Sequence, residues 1–189
     1  VYSGPVACHS FYSISSSTSK LAIITGPNHY GIGQSIASMI DASWKTPLGL
    51  MEVDSESALE LRDGLDILEL DSFSHSKEHS IEVQIPMLQE TFSHEMKILP
   101  VSLINQEQQT ATKVGSAIAK IAQKKDALLI GSSDFTHYEE NEFAHRQDLA
   151  LIDPILKLDV DEFYKILYER HVTACGFGAI ASTMIACKE

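Results

Sequence analysis

The chain has 189 residues, of which 44% are hydrophobic, and this is enough apolar material for one domain with a sizeable core. Its formal charge is −12, from 26 acidic and 14 basic residues, and the basic residues form no cluster. Because nucleic-acid binding depends on neutralising phosphates, this balance argues against it. The lack of an apolar run of about 18 residues argues against a membrane-spanning helix.

Short apolar runs closed by Gly, Pro, Asn or Ser alternate with segments of helical periodicity. This alternation predicts an α/β fold with a mainly parallel central sheet flanked by helices. In chain order, the predicted elements are a helix over 6–14, strands over 21–25 and 36–40, a turn over 44–49, a helix over 55–61, a loop over 70–76, a helix from residue 81, a strand over 97–103, a helix over 106–124, a strand over 127–130, and helices over 160–169 and 178–187.

Three residues within these elements carry their own expectations. Asp54 is placed to cap the helix over 55–61. Pro86 is compatible with a helix only near its first turn or at a kink. Pro100 indicates that the strand over 97–103 lies at an edge of the sheet, because proline cannot donate to a strand ladder.

The three cysteines, Cys8, Cys175 and Cys187, form no C-x-x-C pair and no disulfide framework. A sparse, odd number of cysteines is typical of the reducing cytoplasm, so we expect a cytoplasmic protein. Each cysteine is expected to be a small buried side chain.

Two predicted strands run into loops that contain histidine. The strand over 21–25 leads to His29 through a Gly-Pro-Asn turn, and the strand over 127–130 leads to Asp134 and His137 through a Ser-rich loop. In open α/β sheets, ligands and catalytic groups collect outside the carboxyl ends of the strands. Because imidazole is a common metal ligand, these strand ends indicate a metal site.

A third histidine, His79, follows Glu78 and completes an H-x-x-E-H pattern with His75. Inverted zinc peptidases have this pattern, and they need both imidazoles on one face of a helix. The segment over 70–76 is predicted to be a loop, so His75 is expected to point elsewhere. The peptidase stays open as an alternative.

Asp134 and His137 also allow a purely structural interpretation. Asp134 can cap the next helix, with His137 exposed in its first turn. The functional interpretation places a carboxylate and an imidazole, three residues apart, beside a metal. Four further histidines are expected to have no catalytic role, and these are His9, His94, His145 and His171.

Four segments together resemble the Memo family. They are Tyr-Ser-Gly-Pro-Val-Ala from residue 2, Gly-Pro-Asn-His from residue 26, Glu-His-Ser-Ile-Glu-Val-Gln-Ile-Pro from residue 78 and Ser-Ser-Asp-Phe-Thr-His-Tyr from residue 132. A fifth segment, Thr-Ala-Cys-Gly from residue 173, is similar to a late motif of that family. The family includes the mediator of receptor-driven cell motility in animals and many bacterial and archaeal homologues.

The Memo family is similar in structure to the class III extradiol ring-cleaving dioxygenases, which hold non-haem iron. The resemblance implies that His29 and His79 bind the metal, that His137 is the catalytic acid/base, and that Asp134 is a catalytic aspartate on the same loop. The implied metal is Fe(II) or copper, with zinc as a further option. The implied partners are a small-molecule or peptide ligand and, through a shared pathway, a radical-SAM protein.

This sequence departs from the family at both ends. A Pro-His-Ala-Gly-type segment precedes the position of Tyr2 in the family, and the third metal ligand is expected beyond Glu189. That ligand is a cysteine in the animal protein and a glutamate in the dioxygenases. We therefore expect one Memo-like domain over 1–189 that lacks the family's N- and C-terminal segments.

The residues and the resemblance together leave three functional hypotheses. The first is a non-haem, metal-dependent oxidoreductase similar to the dioxygenases that acts on a small molecule. The second is a non-catalytic binding or adaptor protein that recognises a peptide or metabolite in a degenerate pocket. The third is the zinc peptidase, which requires His75 and His79 to converge.

Overall fold

The computed structural model describes residues 3–93 and 95–189, so Val1, Tyr2 and His94 lie outside the described residues. The elements are, in chain order, α1 (Gly4–Ser13), β1 (Leu21–Pro27), β2 (Ile36–Ser38), β3 (Ser43–Thr46), β4 (Gly49–Glu52), α2 (Ser55–Gly64), β5 (Glu69–Leu70), 3₁₀ turns at Ser72–His75 and Glu82–Gln84, α3 (Ile85–Thr91), β6 (Lys97–Leu103), α4 (Gln108–Lys125), β7 (Leu128–Gly131), α5 (Asn141–Lys157), α6 (Val160–Glu169) and α7 (Phe177–Lys188).

The central sheet contains five strands in the order β5-β2-β6-β1-β7. β1 pairs in parallel with β6 and with β7, whereas β2 pairs in parallel with β5 and antiparallel with β6. β3 and β4 form a separate antiparallel hairpin. This architecture confirms the predicted α/β fold with a mainly parallel sheet flanked by helices.

β1 is buried on both faces of the sheet, and its side chains alternate between two parts of the core. Leu21 and Ile23 pack in the cluster that contains Val114 and Ile118 of α4. The intervening Ile24 belongs to the cluster on the opposite face, which includes residues of α1 and α3. A strand that is covered by helices on both faces has a continuous apolar sequence, and this explains why β1 is predictable from the sequence.

The interpretation of Pro100 as an edge residue is wrong, because β6 lies between β1 and β2 in the sheet. Pro100 stands opposite Ile24 in the parallel pair with β1. On the other side of β6, Val53 bridges to Ile98, and β2 engages residues 102 and 103. Pro100 thus lies between the residue of β6 that bridges to Val53 and the residues of β6 that pair with β2, and a missing N–H is tolerated there.

The N-termini of α2 and α3 agree with the capping and proline signals in the sequence. The Asp54 carboxylate accepts a hydrogen bond of 3.0 Å from the backbone N–H of Ser57 and caps α2. Pro86 falls in the first turn of α3, where its lack of an N–H costs nothing. The segment over 44–49 is more ordered than predicted, since it contributes to the β3–β4 hairpin.

Sequence patterning missed α5 completely. This helix buries Leu151 and Pro154 but leaves Leu149, Ile152 and Leu156 exposed, so apolar residues surround it and form no single stripe. Two cysteines were also placed wrongly, because Cys8 and Cys187 are exposed. No helix among the described residues has both the length and the apolar character needed to cross a membrane.

The contact between α4 and α7 provides a test of the fold. Gly115 of α4 is buried, and a Cβ at this position would lie 2.6 Å from Cβ of Ile185 and 2.7 Å from the carbonyl oxygen of Ser182. We expect Gly115→Ala to lower the free energy of unfolding by about 1–3 kcal/mol, because α7 has to move. Urea denaturation measures this change.

The matched control is Gly64→Ala at the end of α2, where an added Cβ would have no neighbour within 4 Å. This variant is expected to be neutral or more stable by up to about 1 kcal/mol, because alanine has the higher helix propensity. Equal effects of the two substitutions would contradict the close packing of α4 on α7.

Candidate metal centre

The first site loop is fixed at the end of β1. The backbone N–H of Asn28 donates to the carbonyl oxygen of Leu103 at 2.8 Å and so continues the pairing with β6. The Asn28 side chain donates to the carbonyl oxygens of Ile32 and Ser74 at 2.9 and 3.2 Å. Asn28 therefore fixes the turn that carries His29 through one backbone and two side-chain hydrogen bonds.

The second loop, over 78–81, lies directly against the backbone of β1. The Ser80 hydroxyl donates to the carbonyl oxygen of Pro27 at 2.8 Å. A Cβ at Gly26 would lie 2.6 Å from Oγ of Ser80, so glycine is needed for this close approach. Gly26 therefore allows the second loop to pack directly against the end of β1.

Glu78 joins the two loops with its buried carboxylate. Oε2 accepts the backbone N–H of His29 at 2.5 Å, and Oε1 accepts the backbone N–H groups of His79 and Ser80 at 2.9 and 2.8 Å. Oε1 also lies 2.8 Å from Nδ1 of His29. One carboxylate thereby sets the backbone of both histidines and the orientation of one imidazole.

The charge of Glu78 follows from these contacts. Burial by itself raises the pKa of the Glu78 carboxyl, but the hydrogen bonds from His29 and Ser80 outweigh it, and the net pKa is lowered. The carboxylate is therefore ionised near neutral pH and can only accept hydrogen bonds. Nδ1 of His29 must carry the proton, and Nε2 keeps its lone pair for a metal.

The two imidazoles lie side by side. The ring centroids of His29 and His79 are 4.7 Å apart, and the ring planes differ by 15°. One ligand atom each from His29, Glu78 and His79 lies within 4.8 Å of the other two. The structure thus brings together the two histidines that the sequence analysis assigned to a metal, and it adds Glu78 to the group.

Glu78 is better placed to orient the histidines than to bind the ion itself. Its Oε1 already faces three N–H groups, and its side chain is only 2% exposed, against 33% for His29 and 56% for His79. The exposed imidazoles face solvent, where an ion can enter. A carboxylate behind a ligating histidine is the usual arrangement around protein-bound metals.

The third loop is attached to the second by Ser132. Its backbone N–H donates to the carbonyl oxygen of Thr25 at 2.8 Å, which continues the pairing of β7 with β1. Its hydroxyl donates to the carbonyl oxygen of Ser80 at 2.7 Å and accepts a hydrogen bond from Gln84 at 2.8 Å. Ser132 therefore connects the loop of Asp134 and His137 to the residue that follows His79.

His137 is held by the segment that begins at Thr173. Its backbone N–H donates to the hydroxyl of Thr173 at 2.7 Å, and its Nδ1 lies 2.8 Å from the carbonyl oxygen of the same residue. Because a carbonyl oxygen can only accept, Nδ1 carries the proton. Nε2 of the neutral ring is then free to accept a proton.

The contacts of Asp134 differ from those of His137. Its carboxylate accepts the Ser3 hydroxyl at 2.6 Å, and its backbone N–H donates to Sγ of Cys175 at 3.2 Å. The next helix begins at Asn141, so Asp134 does not cap it. The Thr-Ala-Cys-Gly motif thus fixes the loop that carries Asp134 and His137.

The geometry does not support the zinc peptidase pattern. His75 ends the 3₁₀ turn Ser72–His75, whereas His79 lies in the following loop. The His75 ring is buried edge-on against Trp44, with the ring centroids 5.8 Å apart, while His79 stacks on His29. The two histidines share no helix, and the H-x-x-E-H match is a coincidence of spacing.

Comparison with known proteins agrees with the motifs. The family model described as "Memo: Memo-like protein" matches residues 1–189. The chain belongs to the Memo family. A MEMO1 family protein of Nitrosopumilus maritimus is 57% identical over 188 residues, which are 100% of this chain and 68% of that protein. A MEMO1 family protein of Methanosarcina acetivorans is 44% identical, covering 98% of this chain and 68% of the relative.

A solved structure shares the fold of this Memo family member. The crystal structure of the uncharacterized protein JW3007 from Escherichia coli K12 superimposes with a TM-score of 0.65 over 95% of this chain and 81% of that chain. The sequence identity is 13%, so this likeness concerns the architecture alone.

Three residues that position the site in this Memo family member are not predictable from residue type and spacing: Glu78, Ser80 and Ser132. The H-x-x-E-H pattern and the family segment from residue 78 both contain Glu78, but the sequence predicts no role for it beside His29; its place directly before His79 is the usable signal. Ser80 and Ser132 also lie in family segments, but their residue types indicate no role. Their roles depend on main-chain contacts between segments about 50 residues apart, which residue types do not reveal.

Glu78→Gln tests the central carboxylate. The amide retains one acceptor oxygen but turns an NH₂ group towards N–H donors. We therefore expect the free energy of unfolding to fall by about 1–3 kcal/mol and the metal affinity to fall by about 10–100-fold. Urea denaturation and Co(II) titration measure the two effects. The matched control is Glu90→Gln on the exposed side of α3. Similar behaviour of both variants would show that Glu78 does not organise the site.

The buried His75 predicts a pH dependence of stability. Burial lowers the pKa of His75 from 6.5 to about 4, so between these values the unfolded chain binds more protons than the folded chain. The free energy of unfolding should therefore fall as the pH drops through this window, by about 2 kcal/mol between pH 7 and pH 5. Denaturation midpoints at a series of pH values test this.

His75→Phe should remove most of this slope, whereas replacement of the exposed His145 by Gln should leave it unchanged. The Glu78 carboxyl does not interfere, because its stabilising effect is lost only below about pH 4.5, the ordinary pKa of glutamate. An unaltered slope in His75→Phe would contradict the assignment.

Proposed function

We propose that His29 and His79 bind a divalent transition metal, Fe(II) or copper, with zinc as the competing ion. We further propose that the protein is a non-haem, metal-dependent oxidoreductase that acts on a small aromatic molecule, similar to the extradiol dioxygenases. The observation that carries the proposal is the stacked pair of imidazoles fixed by the buried Glu78 carboxylate.

The donor set fits such an ion. Two neutral imidazoles suit iron, copper and zinc, and the protonation of His29 at Nδ1 leaves Nε2 as the donor. The imidazoles must be unprotonated to coordinate, so acid weakens binding. When bound, a first-row metal supplies open coordination positions and lowers the pKa of a coordinated phenol or water.

His137 is the proposed base for that proton. Its Nδ1–H is engaged by Thr173, which leaves Nε2 as the acceptor and fixes the ring against rotation. Asp134, with its carboxylate on the Ser3 hydroxyl, supports the same loop at a second point. In this proposal His137 removes the phenolic proton of the substrate, and Glu78 keeps the metal-binding imidazoles in place.

Metal analysis of anaerobically reconstituted protein tests the first part. We expect about one Fe(II) per chain, with binding weakened at least about 100-fold in His29→Ala and His79→Ala, because each substitution removes a ligand. His145→Ala on the exposed surface of α5 is the matched control and should bind normally. Unchanged metal content in His29→Ala would end the proposal.

Oxygen uptake with a panel of catechols tests the catalytic part. Turnover should require the metal and fall by about 10²–10⁴-fold in His137→Gln, while metal content stays the same, because only the base is lost. Metal-loaded protein without turnover on any catechol would reject the dioxygenase-like activity. It would leave metal binding itself intact.

The second candidate is a non-catalytic binding protein for a peptide or metabolite. Oε1 of Glu78 already accepts hydrogen bonds from three N–H groups. The group of His29, Glu78 and His79 therefore offers a metal two imidazoles but no third ligand that is not already engaged, and this favours a binding role without metal catalysis. Its signature is ligand binding that is unaffected by a chelator and is accompanied by no turnover.

A further inference from the structure

Helix α5 has apolar residues on two opposite sides. Leu151 and Pro154 are buried on the inner side, and Leu151 packs in the cluster that contains residues of α6 and α7. Three apolar residues lie on the outer side instead, where they are 55%, 38% and 78% exposed: Leu149, Ile152 and Leu156. The inner side attaches α5 to the rest of the chain, so the outer side is left for another contact.

The three outer residues, here called the outer stripe, have the spacing of a helix-pairing seam. They are three and four residues apart, which is the a/d spacing by which one helix packs against another. At 3.6 residues per turn they fall within an arc of about 60°. Single exposed leucines are normal on a protein surface, whereas three in one arc form a continuous patch of the kind that marks an interaction surface.

Four exposed charged residues border one side of the outer stripe. In chain order they alternate in sign, and they are Glu142, Arg146, Asp153 and Lys157. The reversed order alternates in the opposite sense, because it begins with a positive charge. Two copies of α5 that run antiparallel therefore place opposite charges side by side, whereas two parallel copies place like charges at the same level.

The spacing of the stripe and the order of the charges agree on one alignment. In an antiparallel pair of α5 helices, Leu149 of one copy lies opposite Ile152 of the other. The same alignment places Arg146 beside Asp153 of the second copy, and the two-fold axis repeats this ion pair. Within one copy Asp153 also pairs with Lys157 at 2.7 Å, but this pair is exposed and weak, so Asp153 stays available.

These charges favour a second copy over a different partner. The formal charge of −12 would by itself favour a basic partner. The border of the outer stripe, however, contains Arg146 and Lys157 as well as the two carboxylates, so a basic partner would meet like charges there. A partner needs alternating charges with the same spacing beside an apolar seam, and α5 itself has both.

We propose that the outer stripe of α5 is a homodimer interface, in which α5 of one copy packs antiparallel against α5 of a second copy around a two-fold axis. Each copy contributes one helix, so the interface is small and the dimer dissociates on dilution. The contact involves none of the histidines of the proposed metal centre and does not depend on a metal.

Sedimentation of the wild-type protein over a series of concentrations tests the proposal, and we expect a reversible monomer–dimer equilibrium. Ile152→Glu places one carboxylate from each copy in the apolar seam and should weaken association at least about 100-fold. Leu156→Glu, at the most exposed position of the stripe, should weaken it about tenfold without affecting the fold. The matched control is Leu50→Glu, which removes an apolar side chain that is 66% exposed on β4 and should leave association unchanged.

Charge reversal tests the antiparallel alignment. Arg146→Asp and Asp153→Arg should each weaken association about tenfold, because each turns two attractive contacts into repulsive ones. The double variant exchanges the charges and should restore association to within about threefold of the wild type. Circular dichroism and urea denaturation of each variant confirm that the fold is kept.

Four results would overturn the proposal. A wild-type protein that stays monomeric at its highest soluble concentration has no such interface. A dimer that persists in both Ile152→Glu and Leu156→Glu uses another surface. A dimer that a chelator dissociates is bridged by metal on exposed histidines. A double charge variant that fails to regain association contradicts the antiparallel alignment.

Discussion

The candidate site depends on one buried carboxylate. Glu78 accepts hydrogen bonds from the backbone of His29, His79 and Ser80 and from the imidazole of His29. A buried charge is costly unless it is fully paired, so these donors and the carboxylate hold one another in place. His29 and His79 are far apart in the chain, and Glu78 is the group that makes them neighbours.

The sheet supplies the platform for this arrangement. β1 is central and parallel to both of its neighbours, so its carboxyl end and that of β7 open onto the same edge. The hydroxyls of Ser80 and Ser132 then connect the loops by donating hydrogen bonds to the carbonyl oxygens of Pro27 and Ser80. Hydrogen bonds at Nδ1 fix the tautomers of His29 and His137 in the loops after these strands. Metal binding and proton transfer both benefit from such preorganised imidazoles.

Much of this was predictable from the sequence, and the exceptions have physical causes. The buried strand β1 has a continuous apolar pattern, and the loops that end in His29 and His137 follow from the Gly, Pro and Ser residues after it and after β7. Pro100 was misplaced because its tolerance depends on which strand lies beside it, which is tertiary information. α5 was missed because Leu149 and Leu151 lie on opposite sides, one exposed and one buried. The role of Glu78 is hard to predict because three of its four hydrogen-bond donors are backbone N–H groups, which every sequence contains.

The most direct test of the central claim is anomalous diffraction from crystals of the protein loaded with Co(II). Our account predicts one strong anomalous peak about 2.0–2.2 Å from a ring nitrogen of both His29 and His79, with Glu78 behind His29 rather than on the metal. A peak on other histidines, or rings of His29 and His79 that point away from each other, would contradict it.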